Sequence, residues 1–355
     1  MELWAITRSL PHVALPAAQK AEQDGWTGLC FSDTQNRSAD PYVAMTAVAL
    51  STSRLRLSTG VTNPATRHAA VTASAIASVQ VLSAGRAELG IGRGDSSLAH
   101  LGMAPTPVPI FEQYLSDVEL YLRGQSVPNR PSGQGAWASL EDGVALAKVP
   151  ERNRIEWLEA AAVARVPVWA VASGPRVIQS ASRVADQVLL AVGANPDRIE
   201  WGIACARAVR PDIRIGAYVN VLVGDDREEL RLAAAGGVAG LARFGAMHGR
   251  AVGAMTQRET EVIESIPIRY DMTRHFQSNN SAAELPPDFV DDFAILGTPS
   301  EVIERIYQLA ELGVERLHVV GPAGDIPPET VARLKSNLVE KVLPEVISER
   351  RQPPA

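Results

Sequence analysis

Five short stretches of this 355-residue chain combine small residues with groups that move protons or bind anions: SDTQN (32–36), GVTN (60–63), GRGDSS (92–97), ASGPR (172–176) and GAN (193–195). Asp33 and Asp95 are the carboxylates among them. Two carboxylates brought together at neighbouring strand ends can share acid and base work; helix capping is the structural alternative for each. Gly174 and Pro175 stand where a helix would begin. Free amides at such a start bind anions, Gly174 allows close approach, and Pro175 suits the first helical turn. An ordinary loop is the equal alternative there. GIGRGDS (90–96) has the Gly-x-Gly-x-Gly spacing of a nucleotide loop but lacks the N-terminal strand–helix–strand context of a dinucleotide fold. His68 and His100 stand alone in sequence, which fits hydrogen-bonded structural roles.

The five stretches share a position in the chain's rhythm. Strand-like runs are expected at 2–6, 26–32, 54–61, 86–92, 166–172, 186–193, 213–224 and 314–321. Helices are expected at 11–25, 40–53, 68–85, 110–124, 174–185, 195–209, 225–245, 298–313 and 327–347. Gly25 and Gly85 close two of them, Asn195 caps one, and Thr298 with Glu301 forms a capping box. Strand-then-helix repetition implies a parallel sheet with right-handed crossovers. Eight units fit a (β/α)8 TIM barrel; a doubly wound open sheet is the alternative. Each polar stretch then follows a strand, where barrels bind their ligands. The rhythm fails at 125–165, a turn-rich stretch suited to a short hairpin, and at 246–293, a partly helical excursion. No boundary divides the chain, so one domain over 1–355 is expected.

Composition removes several functions. Net charge is −6 with a pI near 5.6, against the clustered basic residues of nucleic-acid binders. Cys30 and Cys205 are the two cysteines; they form no Cys-x-x-Cys pair, and no Cys/His spacing suggests a metal. There is no apolar run of about 18 residues to span a membrane and no signal-peptide core near the N-terminus. A cytoplasmic protein acting on a small molecule is expected.

The run GVTNPATRHAAVTASAIASVQVLSAGRAELGIGRGDSS (60–97) resembles the luciferase-like superfamily of flavin- and deazaflavin-dependent oxidoreductases, and most of all its coenzyme F420-dependent branch, which includes methylenetetrahydromethanopterin reductases. VASGPRVIQSASRVADQVLLAVGANPD (171–197) and GTPSEVIERIYQLAELGVERLHVV (297–320) are similar to further signatures of that superfamily. The resemblance implies a barrel holding a tricyclic ring at its mouth, with F420 as cofactor, FMN as the alternative, and often a homodimer. It implies a non-prolyl cis peptide at Gly60–Val61 beneath the ring, with Thr62 and Asn63 hydrogen-bonding nearby. Asp33 matches a residue contacting the deazaflavin. Gly92, Arg93, Gly94 and Asp95 match the loop on the ring's other side. Ser173, Gly174, Pro175, Gly193 and Ala194 match loops whose amides hold the cofactor phosphate. Sugar-phosphate dehydrogenases of this branch carry an acid/base histidine where this chain has Thr34, a poor base near neutral pH. Their catalytic glutamate matches Asp95, one methylene shorter. Asp95 and Thr34 are therefore the expected catalytic pair. The expected function is hydride transfer between F420 and a small organic substrate; the alternatives are an FMN-dependent monooxygenase and a non-catalytic flavin carrier.

Overall fold

A computed structural model describes residues 1–129 and 150–348. The strands are β1 (Glu2–Arg8), β2 (Gly28–Ser32), β3 (Arg56–Thr59), β4 (Ala87–Ile91), β5 (Val127–Pro128), β6 (Arg152–Asn153), β7 (Val168–Ala172), β8 (Gln187–Leu190), β9 (Arg214–Val223), β10 (Ile295–Gly297) and β11 (Val314–Val320). The order β9-β11-β1-β2-β3-β4-β7-β8 is parallel throughout, and β8 pairs back onto β9. That last pairing closes a (β/α)8 barrel and removes the open-sheet alternative. All eight barrel strands fall within the runs expected from sequence, extended by two residues at the end of β1.

The helices are α1 (Pro11–Asp24), α2 (Pro41–Ser51), α3 (Ala69–Leu82), α4 (Ser96–Ala99), α5 (Val108–Leu122), α6 (Pro175–Val184), α7 (Pro196–Arg207), α8 (Arg227–Ala242), α9 (Gln257–Arg269), α10 (Pro287–Phe293), α11 (Pro299–Glu311), α12 (Pro328–Lys341) and α13 (Leu343–Ser348). Their ends follow local chemistry. Gly25 closes α1 at φ +86°, a conformation that favours glycine. Asp40 caps α2 by accepting from the amides of Tyr42 and Val43 at 2.8 and 3.2 Å. Asn195 caps α7, and Thr298 with Glu301 forms the expected box at α11. One long final helix was expected; instead it divides at Val342. Pro344 has no amide hydrogen for the helix ladder, so the chain turns before it.

Within 125–165, β5 and β6 form a two-residue antiparallel hairpin; the intervening part of the expected turn-rich stretch, 130–149, lies outside the described residues. The 246–293 excursion is partly helical, as expected, with α9 and α10. With α8 it builds a second apolar cluster of Leu230, Val238, Ile263, Phe289 and Phe293 on the barrel mouth. The three-residue β10 was not anticipated; it extends the pairing of β9 at Val221–Val223.

The barrel interior is layered. At the N-terminal end lie Glu2, Arg56, Glu88 and Arg316. Arg316 Nε donates to Glu2 at 2.8 Å and its NH1 to Glu88 at 2.7 Å. Arg56 donates to both carboxylates, at 3.1 Å to Glu2 and in a short contact to Glu88. Above them sit Trp4, Cys30, Trp169, Leu189 and His318, all buried. His318 lies parallel to Trp4, 5.5 Å between centroids.

Candidate active site at the barrel mouth

The mouth has an apolar floor. Half-buried Ile6, Val61, Val171 and Tyr218 pack onto the Trp4, Cys30, Trp169 and Leu189 layer. Gly92 lies level with two of them: a Cβ there would stand 3.0 Å from both Val61 Cγ2 and Val171 Cγ1, so glycine leaves the space above them open. A Cβ at Gly60 would stand 2.6 Å from that of Cys30. The Gly60–Val61 peptide is cis, as the resemblance implied. Beyond it the chain rejoins β4: Thr62 N donates to Gly90 O at 3.0 Å and Gly92 N to Thr62 O at 2.9 Å. Residues 60–62 and 92 are thereby held side by side.

Asp33 closes one rim. Its Oδ2 accepts from Thr62 Oγ1 at 2.7 Å and from Arg67 NH1 at 2.6 Å, and its Oδ1 accepts from Gln35 at 2.5 Å. Burial pushes its carboxyl above the usual range, opposed by the Arg67 charge and these hydrogen bonds. Arg67 also bonds Asp40 at 2.7 Å and lies 5.0 Å from the Tyr42 ring centroid. Thr62 and Asn63 are fully buried. Asn63 accepts from the amides of Ala65 and Thr66 at 3.0 and 3.2 Å and donates to Ser97. These two residues therefore shape the loop and hold Asp33 rather than face the mouth. Thr34 is half-buried, and its hydroxyl makes no hydrogen bond among the described residues; its carbonyl accepts from Arg37 and Ser38.

A second stretch of the rim, beyond β3, joins β4 to the excursion. Gly94 has φ +80° and packs against Asn63 and Leu98. Asp95 follows it and receives a short hydrogen bond from Arg243 NH2, which also donates to Ser96 Oγ at 3.1 Å. The Arg243 guanidinium lies 4.9 Å from the Phe244 ring and 4.7 Å from the Tyr270 ring. Its Nε is buried without a partner among the described residues. Tyr270 Oη pairs with His275 Nδ1 at 2.7 Å. Burial, aided by the Arg243 charge, drives His275 down to about 3. His68 caps α3 through Nδ1, as a hydrogen-bonded structural role implies, whereas His100 meets His275 edge-on at 6.2 Å and its Nε2 is buried without a hydrogen-bond partner among the described residues. Arg93, half-buried, donates through Nε to the Thr106 carbonyl at 2.6 Å.

Two expectations change here. Asp33 and Asp95 do not stand at neighbouring strands: β3 lies between β2 and β4, and each carboxylate has its own arginine. The two loops assigned to a phosphate also differ. At the first, Gly174 starts α6 with no side-chain cap and no acidic residue in the first turn, and nothing lies within 4 Å of a Cβ there. Ser173 donates to Phe244 O at 3.3 Å, and Pro175 occupies the first helical position. At the second, α10 covers the loop. Ala194 N already donates to Phe293 O at 2.8 Å, and a Cβ on Gly193 would strike the Phe293 ring at 2.7 Å. Ala194 therefore has no free amide for an anion. Arg67 and Arg243 went unassigned in the sequence reading; the carboxylates they neutralise were visible, but not which arginine would reach them.

Among the described residues no group of three or more His, Cys, Asp or Glu is placed to hold a metal. Nor among the described residues is any helix long and apolar enough to cross a membrane. A parallel barrel whose C-terminal mouth carries an apolar floor and ion-paired rims is built like a barrel enzyme. The chain belongs to the luciferase-like monooxygenase family, whose profile matches residues 9–316, and is an oxidoreductase of that family. It is 26% identical over 338 residues to 5,10-methylenetetrahydromethanopterin reductase of Archaeoglobus fulgidus, covering 91% of this chain and 93% of the reductase. The coenzyme F420-dependent tetrahydromethanopterin reductase of Methanopyrus kandleri shares the fold with a TM-score of 0.66 at 22% identity, over 97% and 99% of the two chains. An EDTA monooxygenase from Chelativorans sp. BNC1 shares it with a TM-score of 0.62 at 13% identity, over 99% and 95%.

Proposed function

We propose that this protein is an F420-dependent oxidoreductase that moves a hydride between the deazaflavin and a small organic substrate. The observation that carries this reading is the similarity to the reductase over nine-tenths of both chains. The mouth fits such a cofactor. A flat ring can lie on Val61 and Val171 because Gly92 adds no side chain, and a phosphate can meet the uncapped start of α6 at 174–177. The deazaflavin supplies the hydride-carrying carbon. The chain's own groups orient it: Asp33, held by Arg67 and Thr62, and the half-buried Thr34 line one edge. Asp95, paired with Arg243, is the group placed to accept the substrate proton as the hydride leaves.

The family's name and the EDTA monooxygenase neighbour support FMN-dependent oxygenation as a second reading, since both cofactors carry a tricyclic ring and a phosphate-bearing chain. Equilibrium binding of F420 and FMN to the full-length protein decides between them. Preference for F420 is expected; preference for FMN with oxygen consumption would replace the first reading. A carrier without chemistry has no use for the half-buried Asp95–Arg243 pair, and turnover measured with F420 tests that reading.

We take the partner to be a second copy of this chain. The helices α2 and α3 contain no charged residue, yet expose Val43, Leu50, Val71 and Leu82 by 65, 69, 54 and 45%. An uncharged apolar face on adjacent helices suits its own copy. Sedimentation should give a dimer, and Leu50→Glu a monomer; a monomeric native protein would end this assignment.

A further inference from the structure

We propose that Tyr218 donates a hydrogen bond from the floor of the mouth to the ring of the bound cofactor and thereby favours its reduced form. This rests on the F420 reading above. Tyr218 lies on β9 with its ring inside the barrel, 4.9 Å from the His318 ring and 6.4 Å from Trp169. It packs with Ile6, Val61 and Val171 at the same level, and those three side chains carry no donor. Its hydroxyl has no hydrogen-bond partner among the described residues, although the residue is only half-buried and faces the mouth.

The hydroxyl is not one of the enclosed atoms left without a partner: it opens to the mouth, where its partner can be a bound molecule. The nearest polar side chains do not supply it. His318 directs Nδ1 to Cys30 Sγ at 3.4 Å. Asn220, two residues further along the same face of β9, is enclosed against Gly237, and both ends of its amide are unpartnered. A partner outside the polypeptide fits the gap. Burial and the neighbouring Cys30 push the Tyr218 phenol well above its ordinary range, so it stays a donor across working pH.

The chemistry gives the bond a direction. A hydride leaves the substrate carbon with its electron pair and adds to the ring carbon, so the substrate is oxidised and the ring reduced. The added charge spreads over the ring's heteroatom edge. A donor held in the floor would interact more strongly with the reduced than with the oxidised form. Tyr218 transfers no proton in this step.

The test is titration of the wild-type chain and Tyr218→Phe with oxidised and with reduced F420, followed by fluorescence and absorbance. The variant should lose about 10-fold of the preference for reduced over oxidised cofactor. Its affinity for oxidised F420 should change less than about 3-fold, and its denaturation midpoint should not fall, since the hydroxyl has no partner to lose. As a second measurement that keeps the hydroxyl, a 3-fluorotyrosine at 218 should shift its ¹⁹F resonance when F420 is added. An unchanged reduced-to-oxidised ratio in the variant, or an unmoved ¹⁹F line, overturns the inference while the F420 reading stands. If the wild-type chain binds neither form of F420, both fall together.

Discussion

The two ends of the barrel use the same chemistry to opposite effect. At the N-terminal end, Glu2 and Glu88 each bind both Arg56 and Arg316. Arg316 also lies 4.6 Å and Arg56 5.3 Å from the Trp4 ring centroid. Charge is balanced and the network interlocks. At the C-terminal end, Asp33 and Asp95 also meet arginines, but as separate pairs two strands apart on the rim. Between and around them stand groups without partners among the described residues: Arg243 Nε, both ends of the Asn220 amide and His100 Nε2. A buried polar atom without a partner costs about 1–3 kcal/mol. The N-terminal end is not free of them, since Gln187 Nε2 at the start of β8 and His318 Nε2 above the network also lack partners among the described residues; what separates the two ends is that the carboxylates interlock through shared arginines at one and stand in separate pairs at the other.

The sharpest way to break this contrast is Arg316→Met, which leaves the buried Glu88 and Glu2 carboxylates short of their counter-charge. Urea unfolding should show a loss of about 3–5 kcal/mol, with cofactor affinity per folded molecule unchanged. A loss below about 1 kcal/mol would mean that the closed end is no more than an exposed pair in its effect. The mirror experiment at the mouth is Asp95→Asn. Turnover should fall about 100-fold, equivalent to about 2.7 kcal/mol of barrier, while unfolding changes less than in Arg316→Met. Unchanged cofactor affinity and unchanged turnover together would remove Asp95 from the chemistry.

The smallest effect concerns acid. His275 is packed against Tyr270 and Phe276 and faces Arg243, Arg37 and His100. It titrates near 3 in the folded protein, against 6.5 for an ordinary histidine. Between those values the unfolded chain binds the extra proton, so stability is full above about pH 6.5 and declines as pH falls toward 3. In His275→Gln that part of the decline should be absent from unfolding curves taken between pH 7 and 4. An identical pH dependence in the two proteins would place the acid sensitivity elsewhere.

How far these features could be read beforehand depends on their range. Asn195 caps an amide three residues away, and Thr298 meets Glu301 at the same distance, so both were legible in a short window. Arg316 was not. In a strand buried on both faces, alternation no longer separates inside from outside, and an inward arginine in VERLHVV looks like a solvent-facing one. The same ambiguity hid Tyr218 and Asn220 in β9. Ala194 was assigned a free amide because nothing local announces that α10, about a hundred residues later, will cover it.

The sequence by itself determined the alternation of eight strands with helices, the ends of those helices and the polar, small-residue stretches after the strands. Each depends on periodicity or on contacts within one helical turn, which neighbouring residues encode directly. Only the tertiary structure decided that the sheet closes, that β3 separates Asp33 from Asp95, and that Arg243 reaches Asp95 across 148 positions. Those outcomes depend on which distant surfaces pack together. Loop-closure entropy changes only slowly with the length of chain between two partners, so separation in sequence neither forbids such a contact nor announces it.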